Sequence, residues 1–343
     1  MGSVLKLIMS NWQSKILYGK LWISRSTTSL FRRSTKPPKK DIKVNIFTFV
    51  PKELFNKIKG IPSALLVLTT TMLFLAAPVI AQRVQVSPAN PRLGDTISVV
   101  IQDASKQGSK PTVMMDNNTY PMFPIDPTTY RAFLPTTPLD RPGIRQIQVQ
   151  VDGQVENLSV NVSDRTFPTQ RIRIASSSSG GLKPTQYELD RVAAFRQQVT
   201  PEKYWNGPFI HPNRGRRSTG YGVRRYYNGV FAKDYYHRGL DYASPQGSPV
   251  FAPAPGRVAL VGTVAQGFRL HGNTIGIDHG QGVTSVFLHL SRINVQEGDF
   301  VQAGQTIGAV GSTGASTGPH LHWGLYVNGK SIDPAPWLTQ AMQ

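Results

Sequence analysis

His320-Leu321-His322 places two imidazoles two residues apart, and in an extended segment such side chains share a face, roughly 6–7 Å apart along the chain. One ring can hold a metal ion while the other reaches a water or substrate beside it. Leu321 turns the opposite way, into a core. Paired histidines on a strand also occur as polar surface, so the reading needs more donors. His237 and Asp241, four apart in HRGLD, supply an imidazole and a carboxylate, and His289 stands within the apolar run 285–290. The collected set is His237, Asp241, His289, His320 and His322.

Zinc in a catalytic site takes three protein ligands and leaves a position for water. Two neutral imidazoles and a carboxylate leave the ion a net charge of about +1, enough to acidify a bound water and polarise a carbonyl. The chain has no cysteine, which excludes a thiolate site. Magnesium or calcium would call for more oxygens than these motifs offer. A His/His/Asp zinc site fits best.

At these residues the chain resembles the lysostaphin/LytM-type zinc endopeptidases, which cut peptidoglycan cross-bridges. Their pattern is an HxxxD segment, an internal HL(S) strand and a terminal HxH, present here in order as HRGLD, FLHLS and PHLHW. The resemblance covers about residues 204–338. It implies zinc ligation by His237, Asp241 and His322, with His289 and His320 as the catalytic pair. In that scheme His320 takes a proton from a water next to the metal, and His289 orients the water or donates towards the transition state. One departure is Phe287, where the family often has Tyr. Tyr227, Tyr235 and Tyr236 precede His237, and one of them could contribute a hydroxyl. A non-catalytic regulator that binds peptidoglycan or activates a murein amidase is the alternative from another class. Family members with that role often lack site residues, and here none is missing.

The remaining histidines, His211, His271 and His279, read as structural or solvated, and Asp278, Asp333 and Asn273 as turn formers.

These residues must be held by β structure. Val250 and the segments 258–261, 274–277, 284–288, 300–301, 306–310 and 321–327 are short apolar or β-branched runs separated by Gly, Pro, Asn and Asp, so a mainly β fold is expected, with a small antiparallel barrel or sandwich carrying a groove. Residues 295–308 also resemble the hairpin of lipoyl and biotinyl carrier domains. That reading fails at its essential residue, because no Lys lies between Lys233 and Lys330.

Upstream, residues 82–165 form a second compositional unit. Strands are expected at 96–101, 130–134, 144–151 and 157–162, with turns at Gly94-Asp95, Asn117-Asn118, Pro142-Gly143 and Asp152-Gly153. The spacing suggests an immunoglobulin-like sandwich. It contains no His and is assigned no chemistry. A linker, 166–203, follows, with a Ser/Gly-rich stretch at 176–181. It carries a helix at 184–199, where Thr185 and Glu188 make a capping box and Leu189, Val192, Phe195 and Val199 fall at helical spacing. This helix could pack against the catalytic domain, 204–343, or occlude its groove.

Residues 61–81 carry no charge, follow Lys52, Lys57 and Lys59, and end in Val79-Ile80-Ala81. They read as a secretory signal peptide, with an uncleaved membrane anchor as the alternative. Export to the periplasm or cell envelope is therefore expected. Residues 1–60, read as disordered or untranslated, hold 13 of the 38 basic residues against two acids. That net +11 leaves +8 for the remainder, which weakens a nucleic-acid reading and suits work among anionic envelope polymers. Arg214, Arg216, Arg217, Arg224 and Arg225 are candidate exposed contacts.

Overall fold

The computed structural model describes residues 84–104, 110–173 and 183–342. The expected extension, the signal segment and the Ser/Gly-rich stretch lie outside these residues. All of the described residues belong to one compact unit. No helix among them is long and apolar enough to cross a membrane.

The chain opens with eight strands: β1 (Val84–Ser87), β2 (Thr96–Ile101), β3 (Thr112–Met115), β4 (Asn118–Pro121), β5 (Phe123–Pro124), β6 (Tyr130–Pro135), β7 (Gly143–Val151) and β8 (Gln154–Val162). They form two four-stranded sheets, ordered β1-β2-β6-β5 and β4-β3-β7-β8. Alternation on β7 sends Ile147, Val149 and Val151 inward, where they meet Ile97, Val99 and Leu134 from the other sheet in one core. Asp152 and Gly153, with φ of 50° and 75°, make the tight β7–β8 hairpin, as that dipeptide favours. The neighbouring turn falls one residue earlier than expected. Asp116 and Asn117 take the positive φ values, and Asn118 begins β4.

Next come β9 (Thr169–Ile172) and helix α1 (Gln186–Arg196). The helix is shorter than the expected 184–199 and leaves Val199 exposed. The C-terminal strands are β10 (Arg216–Thr219), β11 (Arg224–Tyr227), β12 (Val230–Phe231), β13 (Leu240–Ala243), β14 (Pro249–Phe251), β15 (Gly256–Gly262), β16 (Asn273–Gly280), β17 (Val283–Leu290), β18 (Arg292–Ile293), β19 (Phe300–Val301), β20 (Thr306–Ala309), β21 (His320–Val327) and β22 (Lys330–Ile332). An eight-stranded sheet runs β10-β13-β21-β17-β16-β15-β19, with β22 beside β21. Its ends do not meet, so the described residues form an open sheet rather than a closed barrel. A three-stranded sheet, β14-β20-β18, accompanies it, and β9 adds in parallel to the β11–β12 hairpin.

Both faces of the large sheet are covered. Phe287, Leu321, Trp323 and Leu325 point into the main core, while Val286, Leu288 and Tyr326 on the other face meet Val192 and Phe195 of α1. This explains why every residue of β17 is buried. The helix therefore packs against the sheet.

The N-terminal sheets are tied to this body by Arg131. Its guanidinium is 2% exposed, donates to Gln281 Oε1 at 2.5 Å and to the Met342 carbonyl at 3.2 Å, and lies 4.4 Å over the Phe133 ring.

Candidate metal centre

The register of three strands builds the site. β13 pairs antiparallel with β21 so that Asp241 stands opposite His322 and Ala243 opposite His320. Directly opposed side chains share a face about 5 Å apart. β17 flanks β21 on its other side, with Leu288 opposite His322. Gly239 lets β13 approach this closely, since a Cβ there would lie 2.2 Å from the Trp323 carbonyl oxygen. His237 precedes β13 and is held by its backbone, which donates to the Val223 carbonyl at 2.9 Å and accepts from Gly222 N–H at 2.8 Å.

Three donor atoms converge. His237 Nε2 is 2.9 Å from Asp241 Oδ1 and 3.0 Å from His322 Nδ1, and His322 Nδ1 is 2.9 Å from Asp241 Oδ1. All three residues are buried and form a group able to hold a metal ion. Tetrahedral zinc, with bonds of about 2.0–2.1 Å, sets its ligand atoms about 3.3 Å apart. The triangle thus needs to open by only ~0.3–0.4 Å. The hydrogen bond from His237 Nδ1 to the Gly220 carbonyl, 2.8 Å, leaves Nε2 with its lone pair turned to the triangle, the outer support expected of a ligating histidine. The donor set, two nitrogens and one carboxylate oxygen, suits zinc better than calcium or magnesium.

The electrostatics agree with this arrangement. Burial raises the Asp241 carboxyl, but the His237 and His322 imidazoles beside it outweigh that and hold the group ionised, far below the usual carboxylate range. Burial pushes His322 down to about 4, against the pull of Asp241. Neutral imidazoles and an ionised carboxylate are the forms that bind a cation.

His320 lies beside this group without joining it, its Nε2 4.0 Å from Asp241 Oδ1. Its Nδ1 donates to the Gly318 carbonyl at 2.8 Å, so the Nε2 lone pair is free. His289 sits at the end of β17. Strand alternation would send its ring towards the core with Phe287, but its φ is +65°. This left-handed backbone, costing on the order of 1–3 kcal/mol, breaks the alternation and brings the ring to 4.9 Å from that of His320 and 6.5 Å from that of His322. Burial and the imidazoles of His322 and His320 push His289 down to about 3. Its Nδ1 donates to the Thr313 carbonyl at 2.8 Å, leaving Nε2 as an acceptor.

The other sequence candidates make contacts of their own. Tyr236 bonds Ser331 Oγ at 2.8 Å inside the core, and Tyr235 accepts from Arg225 Nη1 at 2.7 Å, with Tyr227 packed beside it. Arg224 and Arg225 are half-buried, whereas Arg214, Arg216 and Arg217 are exposed. His279 is in β16 rather than at a turn, fully buried, donating from Nδ1 to the Pro255 carbonyl and meeting Ser285 Oγ at 2.9 Å through Nε2. His211 is exposed, with Tyr242 Oη 3.2 Å from its Nδ1.

His271 and Glu188 were not legible as part of the surroundings. Thr185 accepts from Glu188 N–H as the expected cap does, but the Glu188 carboxylate does not return to Thr185. It accepts instead from the backbone of residues 269–271 and from the buried His271 ring.

Comparison with known proteins agrees with the motifs. Residues 235–334 match the profile of Peptidase family M23. The DD-carboxypeptidase/endopeptidase Mpg of Neisseria meningitidis serogroup B is 44% identical over 111 residues, covering 31% of this chain and 25% of that protein. Lysostaphin of Staphylococcus simulans is 41% identical over 127 residues, 36% of this chain and 25% of the relative. The chain thus spans about a quarter of the length of these relatives. Among solved structures, a peptidase M23 from Pseudomonas aeruginosa superposes with a TM-score of 0.55 at 28% identity, covering 74% of this chain and 96% of that one. Through the segment that carries His237, Asp241, His289, His320 and His322, this chain belongs to peptidase family M23.

Proposed function

We propose that the protein is an exported zinc endopeptidase that hydrolyses peptide cross-links of peptidoglycan. The observation that carries this reading is the triangle of His237, Asp241 and His322, with the free Nε2 of His320 and of His289 turned to the same side. The names of the relatives, an endopeptidase of the Mpg type and lysostaphin, support the substrate class. Export rests on the uncharged segment 61–81 after a basic stretch, and the two N-terminal sheets serve as an immunoglobulin-like spacer.

The zinc ion, held by His237, Asp241 and His322, would supply Lewis-acid polarisation of the scissile carbonyl and acidify a water. His320 takes the proton from the attacking water at Nε2 as that oxygen bonds to the carbonyl carbon, then returns it to the amine nitrogen as the C–N bond breaks. Its Nδ1–H, anchored on the Gly318 carbonyl, keeps the ring in the tautomer this requires. His289 accepts from the water through Nε2 and orients it. Exposed Arg214, Arg216 and Arg217 add positive charge that favours an anionic polymer.

The test is murein zymography with the zinc-loaded protein, followed by digestion of purified cross-linked muropeptides and mass spectrometry of the products. Wild type should clear the gel and yield uncross-linked peptides, and His320→Ala should not. No clearing by stoichiometrically zinc-loaded wild type would sink hydrolysis in favour of a peptidoglycan-binding regulator.

A further inference from the structure

Glu188 stands outside the family's matched segment, on the first turn of α1, yet its side chain is 0% exposed. A buried carboxylate is costly unless its oxygens are satisfied. Here three successive amides and an imidazole satisfy them. Arg269 N–H donates to Oε2 at 3.1 Å, Leu270 N–H to Oε1 at 3.1 Å, His271 N–H to Oε1 at 2.7 Å and His271 Nδ1 to Oε1 at 2.6 Å. Consecutive amides turned towards one anion make a strong charge-assisted grip. Burial raises the Glu188 carboxyl, but the hydrogen bonds from His271 and its neighbours win and hold it ionised below its ordinary range.

The gripped segment reaches the catalytic histidine directly. The His271 carbonyl accepts from His289 N–H at 3.1 Å, and the Leu270 carbonyl accepts from Ala315 N–H at 2.9 Å. Thr313, the residue whose carbonyl receives His289 Nδ1, donates its own N–H to the His289 carbonyl at 3.3 Å. Gly272 closes the contact, since a Cβ there would lie 2.4 Å from the Thr313 carbonyl oxygen. A left-handed non-glycine residue such as His289 persists only where its surroundings over-determine it. The bond from its N–H to the His271 carbonyl is one such restraint.

We propose that Glu188 is a positioning residue: by clamping segment 269–271 onto α1, it holds His289 in the left-handed conformation that presents its ring to the metal triangle. The linker helix is then a working part of the catalytic domain. The consequence for turnover rests on the endopeptidase reading, whereas the placement of His289 does not.

The test uses the full chain, zinc-loaded, as wild type, Glu188→Ala, Glu188→Gln and Val149→Ala. The last opens a cavity in the remote N-terminal core and reports what general destabilisation does. Readouts are zinc content, kcat and KM on cross-linked muropeptides, and the 15N resonances of the His289 backbone and ring. Glu188→Ala should lower kcat by about 10–100-fold, the range for loss of an outer support, with KM within about twofold, zinc stoichiometric and the His289 resonances shifted. Glu188→Gln keeps an acceptor oxygen and should fall between; it also serves if the Ala variant does not fold. Val149→Ala should melt lower and leave the His289 resonances in place. Unmoved His289 resonances in both Glu188 variants, or the same shifts in Val149→Ala, would overturn the proposal. Wild type without turnover defeats the endopeptidase reading alone, because the resonances still judge Glu188.

Discussion

Replacing His322 and His320 one at a time separates holding the metal from moving the proton. His322 Nδ1 is a corner of the triangle, 2.9 Å from Asp241 Oδ1 and 3.0 Å from His237 Nε2, so His322→Ala leaves two donors and takes from Asp241 one of its imidazole partners. Zinc held by four protein donors binds with an apparent free energy of about 10–16 kcal/mol. One corner is then worth roughly 3 kcal/mol, a weakening on the order of 100-fold or more at 1.36 kcal/mol per decade. His320 Nε2, 4.0 Å from Asp241 Oδ1, is about an ångström outside those contacts. His320→Ala leaves the triangle whole and removes a base whose loss costs about 10²–10⁴-fold in rate. The assay is zinc content after dialysis against a competing chelator, set beside initial rates on cross-linked muropeptides. His322→Ala should emerge free of zinc and inactive; His320→Ala should keep its zinc and lose turnover. Equal loss of metal in both variants, or full turnover in His320→Ala, would refute the division of labour.

Other perturbations reach the scaffold. Gly239→Ala places a Cβ 2.2 Å from the Trp323 carbonyl oxygen, so β13 must leave β21 and carry Asp241 from His322; a lower melting temperature with lost zinc is expected, and wild-type zinc affinity would contradict the register argument. His279 is pushed by burial from 6.5 to about 4. Its folded pKa is the lower one, so the unfolded chain takes up the proton first; its contribution is whole above pH 6.5 and declines towards pH 4, by about 2 kcal/mol at pH 5. Urea unfolding of the metal-free protein at pH 7 and pH 5 should show a smaller acid loss in His279→Gln than in wild type, and equal losses would exclude His279 as the source. Arg131→Ala strips Gln281 of a buried charged donor and should cost about 2–3 kcal/mol in urea unfolding without altering zinc content; a change below about 0.5 kcal/mol would show that this contact does not tie the N-terminal sheets to the rest.

Much of the strand content was legible because alternation and β-branching report burial directly. β2 falls on its expected residues, and β7 and β21 extend theirs by one. β1 and β3 were missed, each only four residues long and so too short to show a sustained alternation. The Asn117-Asn118 signal was right in kind and shifted by one, since Asp accepts a left-handed backbone nearly as well as Asn. Thr185 and Glu188 show a sharper limit. The spacing of a capping box fixes where the helix starts, but which donors a glutamate takes depends on what the fold brings near. Three amides and His271, more than 80 residues away in sequence, replaced the single local one. The backbone of His289 was equally invisible, because nothing in FLHLS distinguishes a strand that continues its alternation from one that breaks it.

The difference between the two histidines of the HxH pair likewise arises across the ladder rather than along the chain. His320 and His322 share a strand, a face and a residue type, and differ first in what β13 sets opposite them. A carboxylate faces His322 and a methyl group faces His320. The carboxylate draws His322 into a buried triangle of donors, whereas the small Ala243 leaves His320 open to solvent on one side and anchored by the Gly318 carbonyl on the other. Moving the carboxylate by two residues should therefore move the ligand role with it. In Asp241→Ala/Ala243→Asp, the carboxylate faces His320 and lies farther from His237. The expected outcome is a protein with an intact fold by circular dichroism, weaker zinc binding and no turnover. Retention of wild-type zinc affinity would show that register across β13 and β21 does not assign the roles.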